Sequence, residues 1–353
     1  MSDPRRILVV TSGALFVRGG HLVIAEQTCA ALRRAGHLAE LLITPQNRFG
    51  RQLSAYAATW LTDVGQTADG QPVDQVISFR FPSYAVRHRR HVCWLNHRMR
   101  EYYDLWERFT RGLGRRGRWK ESLRRRLFHA LDRRLLTRGV TRLVAQSRTI
   151  QRRLERFGNI RSDLLYPPPP ERPYRNQGWG DYVFAVSRLH PLKRLDLLVE
   201  AAALTRSSAL SFKIAGEGED EPRLRERIGA LGLGGRVELL GAISEAELVE
   251  HYARCRAVYF APWNEDYGLV TLEAFRSGKP VLTASDSGGP AELVRHEENG
   301  LVAEPTAPAV ARQLDALADH DGLARSLGEA AERDARAHTW DRAVENLLAL
   351  ESG

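Results

Sequence analysis

Four consecutive prolines, Pro167 to Pro170, followed at once by Glu171, Arg172 and Pro173, cut this 353-residue chain near its middle. Such a run can continue neither a helix nor a central strand and behaves as a stiff extended connector. On each side of it, short apolar runs alternate with stretches of helical periodicity. Before it, strands are expected at 7–10, 38–43, 74–78, 91–95 and 141–145, with a helix from His21 to Ala35 and another from Ser147. After it, strands at 182–186, 211–215, 236–240 and 257–260 alternate with helices at 195–203, 221–231 and 245–252, the last capped by Ser244. Strands alternating with helices imply parallel sheets covered on both faces. The length exceeds one ordinary core. The chain therefore reads as α/β throughout: a first domain over 1–166, a proline-rich linker over 167–180, a second domain over 181–335 and a closing helical segment over 336–353. Two such domains leave a cleft where loops at the carboxyl ends of the strands present groups to a ligand.

The densest chemistry lies in Asn264-Glu265-Asp266-Tyr267-Gly268-Leu269-Val270-Thr271-Leu272-Glu273-Ala274-Phe275. A turn-rich stretch holding one carboxylate runs into an apolar helix holding another. If the whole segment were helical, Glu265 and Glu273 would stand roughly 80° apart about the axis. If Gly268 closes a loop instead, the helix starts near Leu269 and Glu273 lies about one turn in. The amides of Gly268, Leu269 and Val270 are then donors at a helix N-terminus, a site for phosphate. Free amides beside two carboxylates suit a ligand that is anionic at one end and hydroxyl-rich at the other, as a nucleotide sugar is. The competing reading is a loop of solvated acids ahead of an amphipathic helix.

A second loop, this one basic, Ser187-Arg188-Leu189-His190-Pro191-Leu192-Lys193-Arg194, follows a strand and precedes a helix. Arg188 offers a planar fork and Lys193 a point charge, both suited to a diphosphate. Gly216-Glu217-Gly218-Glu219-Asp220 lacks the third glycine of a dinucleotide fingerprint and reads as a tight strand-to-helix turn near the nucleotide. Asp319-His320-Asp321 sits between late helical patterns and reads as a solvated turn, so no metal motif is assigned.

With strand 257–260 before it and Gly288-Gly289-Pro290 after it, the 264–275 segment resembles the C-terminal half of retaining glycosyltransferases of the GT-B fold, glycosyltransferase family 4. Their E-x7-E element appears as Glu265 to Glu273. Asp266 stands where the family usually has Gly or Pro. Arg188 and Lys193 match the family's Arg and Lys, with Ser187 and Leu192 in place of the usual Gly and Glu. The resemblance implies two Rossmann-like domains facing each other across a cleft, with the closing helix returning to the first. It implies that Glu265 faces the reacting carbon of the sugar and Glu273 the ribose hydroxyls, with Ile243 beside the base. Gly19 and Gly20, after the first strand, would approach phosphate or sugar. His97 would contact the sugar, with His21 on the acceptor side. The activity implied is metal-independent, cofactor-free transfer from a UDP- or GDP-sugar to an acceptor such as a lipid-linked or cell-surface glycan. A nucleotide-sugar epimerase of related architecture and a basic, non-enzymatic membrane-binding scaffold are the alternatives.

The net charge is +9, and the stretch between Arg111 and Arg138 alone holds eleven basic residues against Glu121 and Asp132. Within it Leu123, Leu127, Phe128, Leu131 and Leu135 recur at helical spacing. Either they face the core and leave a solvated basic face, or the segment meets an anionic membrane surface. Nucleic acid is not expected, because no aromatic-interleaved motif accompanies the charge. Cys29, Cys93 and Cys255 have no metal-like spacing. With no apolar run approaching a membrane span, the expected location is cytoplasmic and peripheral at the inner membrane face.

Overall fold

The computed structural model describes residues 3–16, 19–319 and 321–349. The chain forms two units. One holds the residues up to Pro167 together with those from Thr339 onward; the other runs from Pro168 to His338.

In unit 1 the elements are β1 (Arg6–Gly13), α1 (Gly20–Arg34), β2 (Leu38–Pro45), α2 (Gln52–Leu61), β3 (Gln75–Ser78) and β4 (His91–Leu95). They continue with α3 (Trp106–Thr110), α4 (Arg115–Arg134), β5 (Arg142–Ala145), α5 (Arg148–Gly158) and β6 (Asp163–Leu164). All strand pairs are parallel, in the order β2-β1-β3-β4-β5-β6. β3 and β4 are buried at every residue, the signature of central strands covered on both faces. Neither α2 nor the two-residue β6 is expected from the sequence. α2 has no charged residue in its first or last turn to mark its ends, and β6 is too short to carry a period.

Unit 2 begins with β7 (Tyr182–Val186), α6 (Leu195–Leu204), β8 (Ser211–Ala215), α7 (Glu221–Ala230), β9 (Val237–Gly241) and α8 (Glu245–Arg254). It proceeds through β10 (Ala257–Tyr259), α9 (Leu269–Arg276), β11 (Val281–Ala284), α10 (Gly289–Leu293), β12 (Gly300–Ala303), α11 (Ala307–Asp319) and α12 (Asp321–Ala335). Its sheet is also parallel, ordered β12-β11-β10-β7-β8-β9. Read from the other edge this is the doubly wound 3-2-1-4-5-6 order of dinucleotide-binding folds. Ser244 caps α8 as expected: its Oγ accepts the Glu247 amide, while Glu247 Oε2 accepts the Ser244 amide at 2.8 Å.

The closing helix α13 (Trp340–Leu348) packs on unit 1. Trp340 meets Trp94 edge-on at 6.4 Å, Gln75 Nε2 donates to the Leu347 carbonyl at 2.8 Å, and Arg142 Nη2 donates to Asn346 Oδ1 at 3.0 Å. Residues 168–180, read as a linker from their prolines, pack with unit 2. Asn176 Oδ1 accepts from the buried Lys279 ammonium at 2.9 Å, and the Gly178 carbonyl accepts from it as well. The three cysteines are buried, and burial pushes the Cys93 and Cys255 thiols up to about 12. Among the described residues no helix is long and apolar enough to cross a membrane.

α4 departs from its expected face. Phe128 is buried, but Leu123 and Leu127 are 46% and 49% exposed, and the inward positions belong partly to Glu121 and Asp132. The reason is a set of phenols beneath the helix. Tyr102 donates to Glu121 Oε2 at 2.7 Å; Tyr84 and Tyr103 donate to Asp132 Oδ1 and Oδ2 at 2.6 Å each, and Tyr56 also donates to Oδ1. Buried carboxylates with these donors outcompete leucines for the interior.

His91 gives unit 1 a pH dependence. It is fully buried, with Nδ1 3.2 Å from the Gly139 carbonyl and Nε2 2.7 Å from Ser78 Oγ. The carbonyl can only accept, so Nδ1 carries the proton and the Ser78 hydroxyl donates to Nε2. Burial pushes this imidazole down to about 4. An unfolded histidine titrates near 6.5, so below that pH the unfolded chain binds the extra proton. Stability present above pH ~6.5 is therefore lost as pH falls toward ~4, by about 3 kcal/mol. Denaturant midpoints measured across this window should fall in the wild type and fall less in His91→Gln. Equal slopes in the two proteins would refute the assignment.

Candidate functional site

In unit 2 the strand order reverses between β7 and β10, which are neighbours in the sheet. Ligands bind doubly wound sheets outside the carboxyl ends of the strands at such a point. The loop after β7 carries Arg188 and Lys193; the loop after β10 carries Glu265.

Arg194 fastens these loops together. It sits at φ 50°, a left-handed conformation that costs a non-glycine residue about 1–2 kcal/mol. Its guanidinium donates to the Ala261 carbonyl at 2.8 Å and the Pro262 carbonyl at 2.9 Å, and grips Asp286 at 2.7 and 2.9 Å. These charge-assisted bonds hold the turn in place. His190 Nδ1 accepts the Leu192 amide at 3.1 Å, and the Trp263 amide donates to the Leu192 carbonyl at 2.8 Å. The backbone of Glu265 is held from both sides: its amide donates to the Ser287 carbonyl at 2.8 Å, and its carbonyl accepts the Gly289 amide at 3.0 Å. The Gly216–Asp220 turn supports the first loop from beneath. Gly216 lies at φ 125°, and a Cβ there would come within 1.9 Å of the Ser187 carbonyl oxygen. Only glycine allows that approach.

Within this frame Lys193 Nζ donates to Glu265 Oε2 at 2.8 Å. The lysine also stands 5.5 Å above the Phe260 ring. Both side chains are only partly buried, so the ammonium keeps donors for a second acceptor. The Arg188 side chain is exposed, and among the described residues nothing pairs with it. Asp266, the departure from the family pattern, is buried rather than solvated.

Of the two geometries open from sequence, the chain adopts the second. Gly268 is the N-cap at φ 86°, and α9 starts at Leu269. The Leu269 and Val270 amides open the helix and have no intrahelical acceptor. Glu273 lies one turn in, buried. Arg172 Nη1 donates to its Oε1 at 2.5 Å and the Tyr252 hydroxyl to its Oε2 at 2.8 Å. Burial, and then the Glu273 carboxylate, hold the Tyr252 phenol well above its ordinary range, so it remains a donor. Ile243 is half-buried in the turn between β9 and α8. Asp319 closes α11, 3.3 Å from exposed Arg206; His320 and the Asp321 side chain lie outside the described residues. Among the described residues no three His, Cys, Asp or Glu side chains converge as a metal site would require.

Unit 1 gathers its own candidates. Its strand order reverses between β1 and β3. Gly19 caps α1, and Gly20 is the first residue of that helix. His21 follows, its imidazole pushed down to about 3 by burial, then by Arg80, then by His97. His97, after β4, donates from Nδ1 to the Arg98 carbonyl at 2.7 Å. His21 thus feels the charge of both Arg80, which is 8% exposed, and His97; a Cβ on Gly19 would come within 3.1 Å of His21 Nδ1, and the Phe81 amide, next to Arg80, donates to the His97 carbonyl at 3.2 Å. Arg80 is absent from the sequence-based set. Its signal is the position after β3, which gains meaning only once β3 is known to adjoin β1.

Residues 174–334 match the model of the family described as Glycosyl transferases group 1. Over 181 residues the chain is 35% identical to a D-inositol 3-phosphate glycosyltransferase of Salinispora arenicola, covering 48% of this chain and 40% of that protein. The chain thus spans about two fifths of the length of that relative. Several solved structures match along nearly the whole chain. Anabaena Alr3699/HepE in complex with UDP and glucose has a TM-score of 0.73 and 18% identity, covering 97% of this chain and 99% of its own. The sucrose-phosphate synthase of Thermosynechococcus elongatus has a TM-score of 0.77 and 15% identity, covering 97% of each chain. At these identities the likeness concerns the fold, which is GT-B with two Rossmann-like units.

Proposed function

We propose that this chain is a retaining glycosyltransferase of family 4 that moves a sugar from a UDP- or GDP-sugar onto a glycan or lipid-linked acceptor. The observation that carries the reading is the Lys193–Glu265 pair, 2.8 Å apart at the switch point of unit 2 and followed by the amides that open α9. A diphosphate leaving group calls for cations and amide donors. An anomeric carbon gaining positive charge calls for a carboxylate. Lys193, Arg188 and the Leu269 and Val270 amides meet the first need, Glu265 the second. Glu273 takes the ribose hydroxyls. The bond from the sugar to the diphosphate breaks, the bond to the acceptor oxygen forms on the same face, and the acceptor proton passes to the leaving phosphate oxygen. The family match over unit 2 supports transferase activity. The name of the Salinispora relative supports glycosyl transfer, and the UDP and glucose in the Anabaena structure support a nucleotide-sugar donor.

In this reading cations of the protein neutralise the diphosphate, so no divalent ion is required. A screen of UDP-, GDP- and ADP-sugars, with and without EDTA, should show release of nucleoside diphosphate from one of them, unchanged by the chelator. The product should keep the donor's anomeric configuration by NMR. Release from none of the donors would end the proposal, and abolition by EDTA would end its metal-independent part.

The reading also makes the protein cytoplasmic and peripheral at the inner membrane face, held through α4. Trp119, Leu123 and Leu127 lie four residues apart and are 68%, 46% and 49% exposed, forming one stripe. At ~100° per residue Lys120 flanks the stripe on one side, with Arg126 and Arg133 on the other. Apolar side chains between cations suit an anionic bilayer surface, where each Lys or Arg contributes about 1 kcal/mol. The protein should co-sediment with anionic vesicles at low salt and be released by added salt. Trp119→Ser combined with Leu123→Ser should abolish co-sedimentation. A wild type that stays in the supernatant would remove this part.

A further inference from the structure

The Glu273 carboxylate is held by groups from two separate segments. Arg172, from the proline-rich stretch, donates Nη1–H to Oε1 at 2.5 Å; Tyr252, on α8, donates its hydroxyl to Oε2 at 2.8 Å. The other edge of the same guanidinium forks onto Glu245, Nε to Oε2 at 2.6 Å and Nη2 to Oε1 at 2.9 Å. Tyr174 closes the group, its hydroxyl 3.3 Å from Arg172 Nη1. Arg172 is 10% exposed and Glu273 8%, whereas Glu245 is 76% exposed. The planar cation is therefore fixed at one edge by a solvated acid and presents its other edge to a buried one. A buried carboxylate needs such a partner, and an arginine fork fixes its direction as well as its charge.

Each carboxylate oxygen has two lone-pair directions. Arg172 takes one on Oε1 and Tyr252 one on Oε2, which leaves one on each oxygen. Two acceptors of fixed spacing, turned by their other bonds, match a vicinal diol that offers two hydroxyl donors. We infer that Arg172 is a positioning residue for the donor's ribose, orienting Glu273 so that its two remaining lone pairs read the 2′- and 3′-hydroxyls together. This rests on the donor reading of Glu273 proposed above. It adds that the preference for ribose over deoxyribose is set by a residue outside the E-x7-E element.

The test is calorimetric titration of the full chain with UDP and 2′-deoxy-UDP, and with the guanosine pair in parallel. The proteins are wild type, Arg172→Met, Arg172→Lys, Glu273→Gln and the double variant Arg172→Met/Glu273→Gln. The wild type should favour the ribonucleotide about ten-fold, as a site that hydrogen-bonds a hydroxyl rejects the analogue lacking it. Arg172→Met should reduce that ratio to near one while changing 2′-deoxynucleotide affinity little. Arg172→Lys, which keeps the charge without the fork, should fall between. The double variant should discriminate no less than Glu273→Gln alone. A merely structural role would weaken both nucleotides equally and keep the ratio, which overturns the inference. Should Arg172→Met fail to fold, Arg172→Lys carries the test, and an unchanged ratio there overturns it too. If Glu273→Gln collapses the ratio and the Arg172 variants do not, the inference alone fails. If the wild type binds no nucleoside diphosphate, or Glu273→Gln leaves the ratio intact, the donor reading fails and this inference with it.

Discussion

Lys193→Ala is expected to slow sugar transfer at saturating donor by about 10²–10³-fold, the usual loss when one preorganised electrostatic donor to a developing negative charge is removed. The bond from Lys193 Nζ to Glu265 Oε2, 2.8 Å long, uses one of the three ammonium donors. The others are available to the diphosphate, whose charge grows as its bond to the sugar lengthens, so the loss should fall on kcat more than on KM. Glu265→Gln should produce a loss of similar order by removing the carboxylate from the anomeric carbon. Because the two side chains touch, the double variant should fall well short of the product of the single losses. Arg206→Ala, an arginine of the same unit paired with Asp315 rather than with the site, is the charge control and should leave kcat unchanged. A Lys193→Ala enzyme within three-fold of wild type, or strictly multiplicative losses in the double variant, would remove the pair from the chemistry.

Much of this site is legible in the sequence because its parts are contiguous. Gly268, the amides after it and Glu273 fall within one short segment whose helix can start in only a few places. Arg188 and Lys193 lie on one strand-to-helix connection. The partner that positions Glu273 was hidden for the opposite reason: Arg172 is separated from it by 101 residues and sits in a stretch whose prolines announce only a connector. Arg194 was hidden in another way. It reads as one more cation of a basic loop, and its role as a fastener depends on carbonyls of residues 261 and 262 and on Asp286, which meet only once β7 and β10 are neighbours. In unit 1, Arg80 was missed because strand order, not spacing, puts the loop after β3 beside the loop after β1.

The basic helix shows where periodicity misleads. Leucines at helical spacing are expected inward, and Phe128 obeys, but Leu123 and Leu127 stand half in solvent while Asp132 is 1% exposed. A pattern of apolar residues records what prefers to be buried. It cannot register that three tyrosines elsewhere in the chain supply the donors that let an aspartate take the inner position. The same distant partners free an apolar stripe to face outward between Lys120 and the arginines at 126 and 133, which is the feature the membrane reading uses.

Asp132→Ala should accordingly be among the most damaging substitutions in unit 1. It removes the acceptor of Tyr84 and Tyr103, each at 2.6 Å, and of Tyr56. Burial, and then the Asp132 charge, hold the Tyr56 and Tyr84 phenols well above their ordinary range, so both are protonated donors at neutral pH. Tyr56 and Tyr84 lie 3.2 Å apart and can bond to each other, leaving at least one donor without an acceptor. An unsatisfied buried group costs about 1–3 kcal/mol, and the vacated side-chain volume adds to that, so a loss of about 3–5 kcal/mol is expected. Asp132→Asn keeps the shape and one acceptor oxygen; the Tyr103 hydroxyl can turn to accept from its amide, so about half that loss is expected. A chain of two units need not unfold in one step, so hydrogen exchange along α4 and the residues just after it is the readout, with unit 2 as the internal reference. Protection should drop in α4 and around Tyr84 and Tyr103 and hold in β7 and β8. Unchanged protection of α4 in Asp132→Ala would mean that the leucines, not the tyrosine-bound carboxylate, seat the helix.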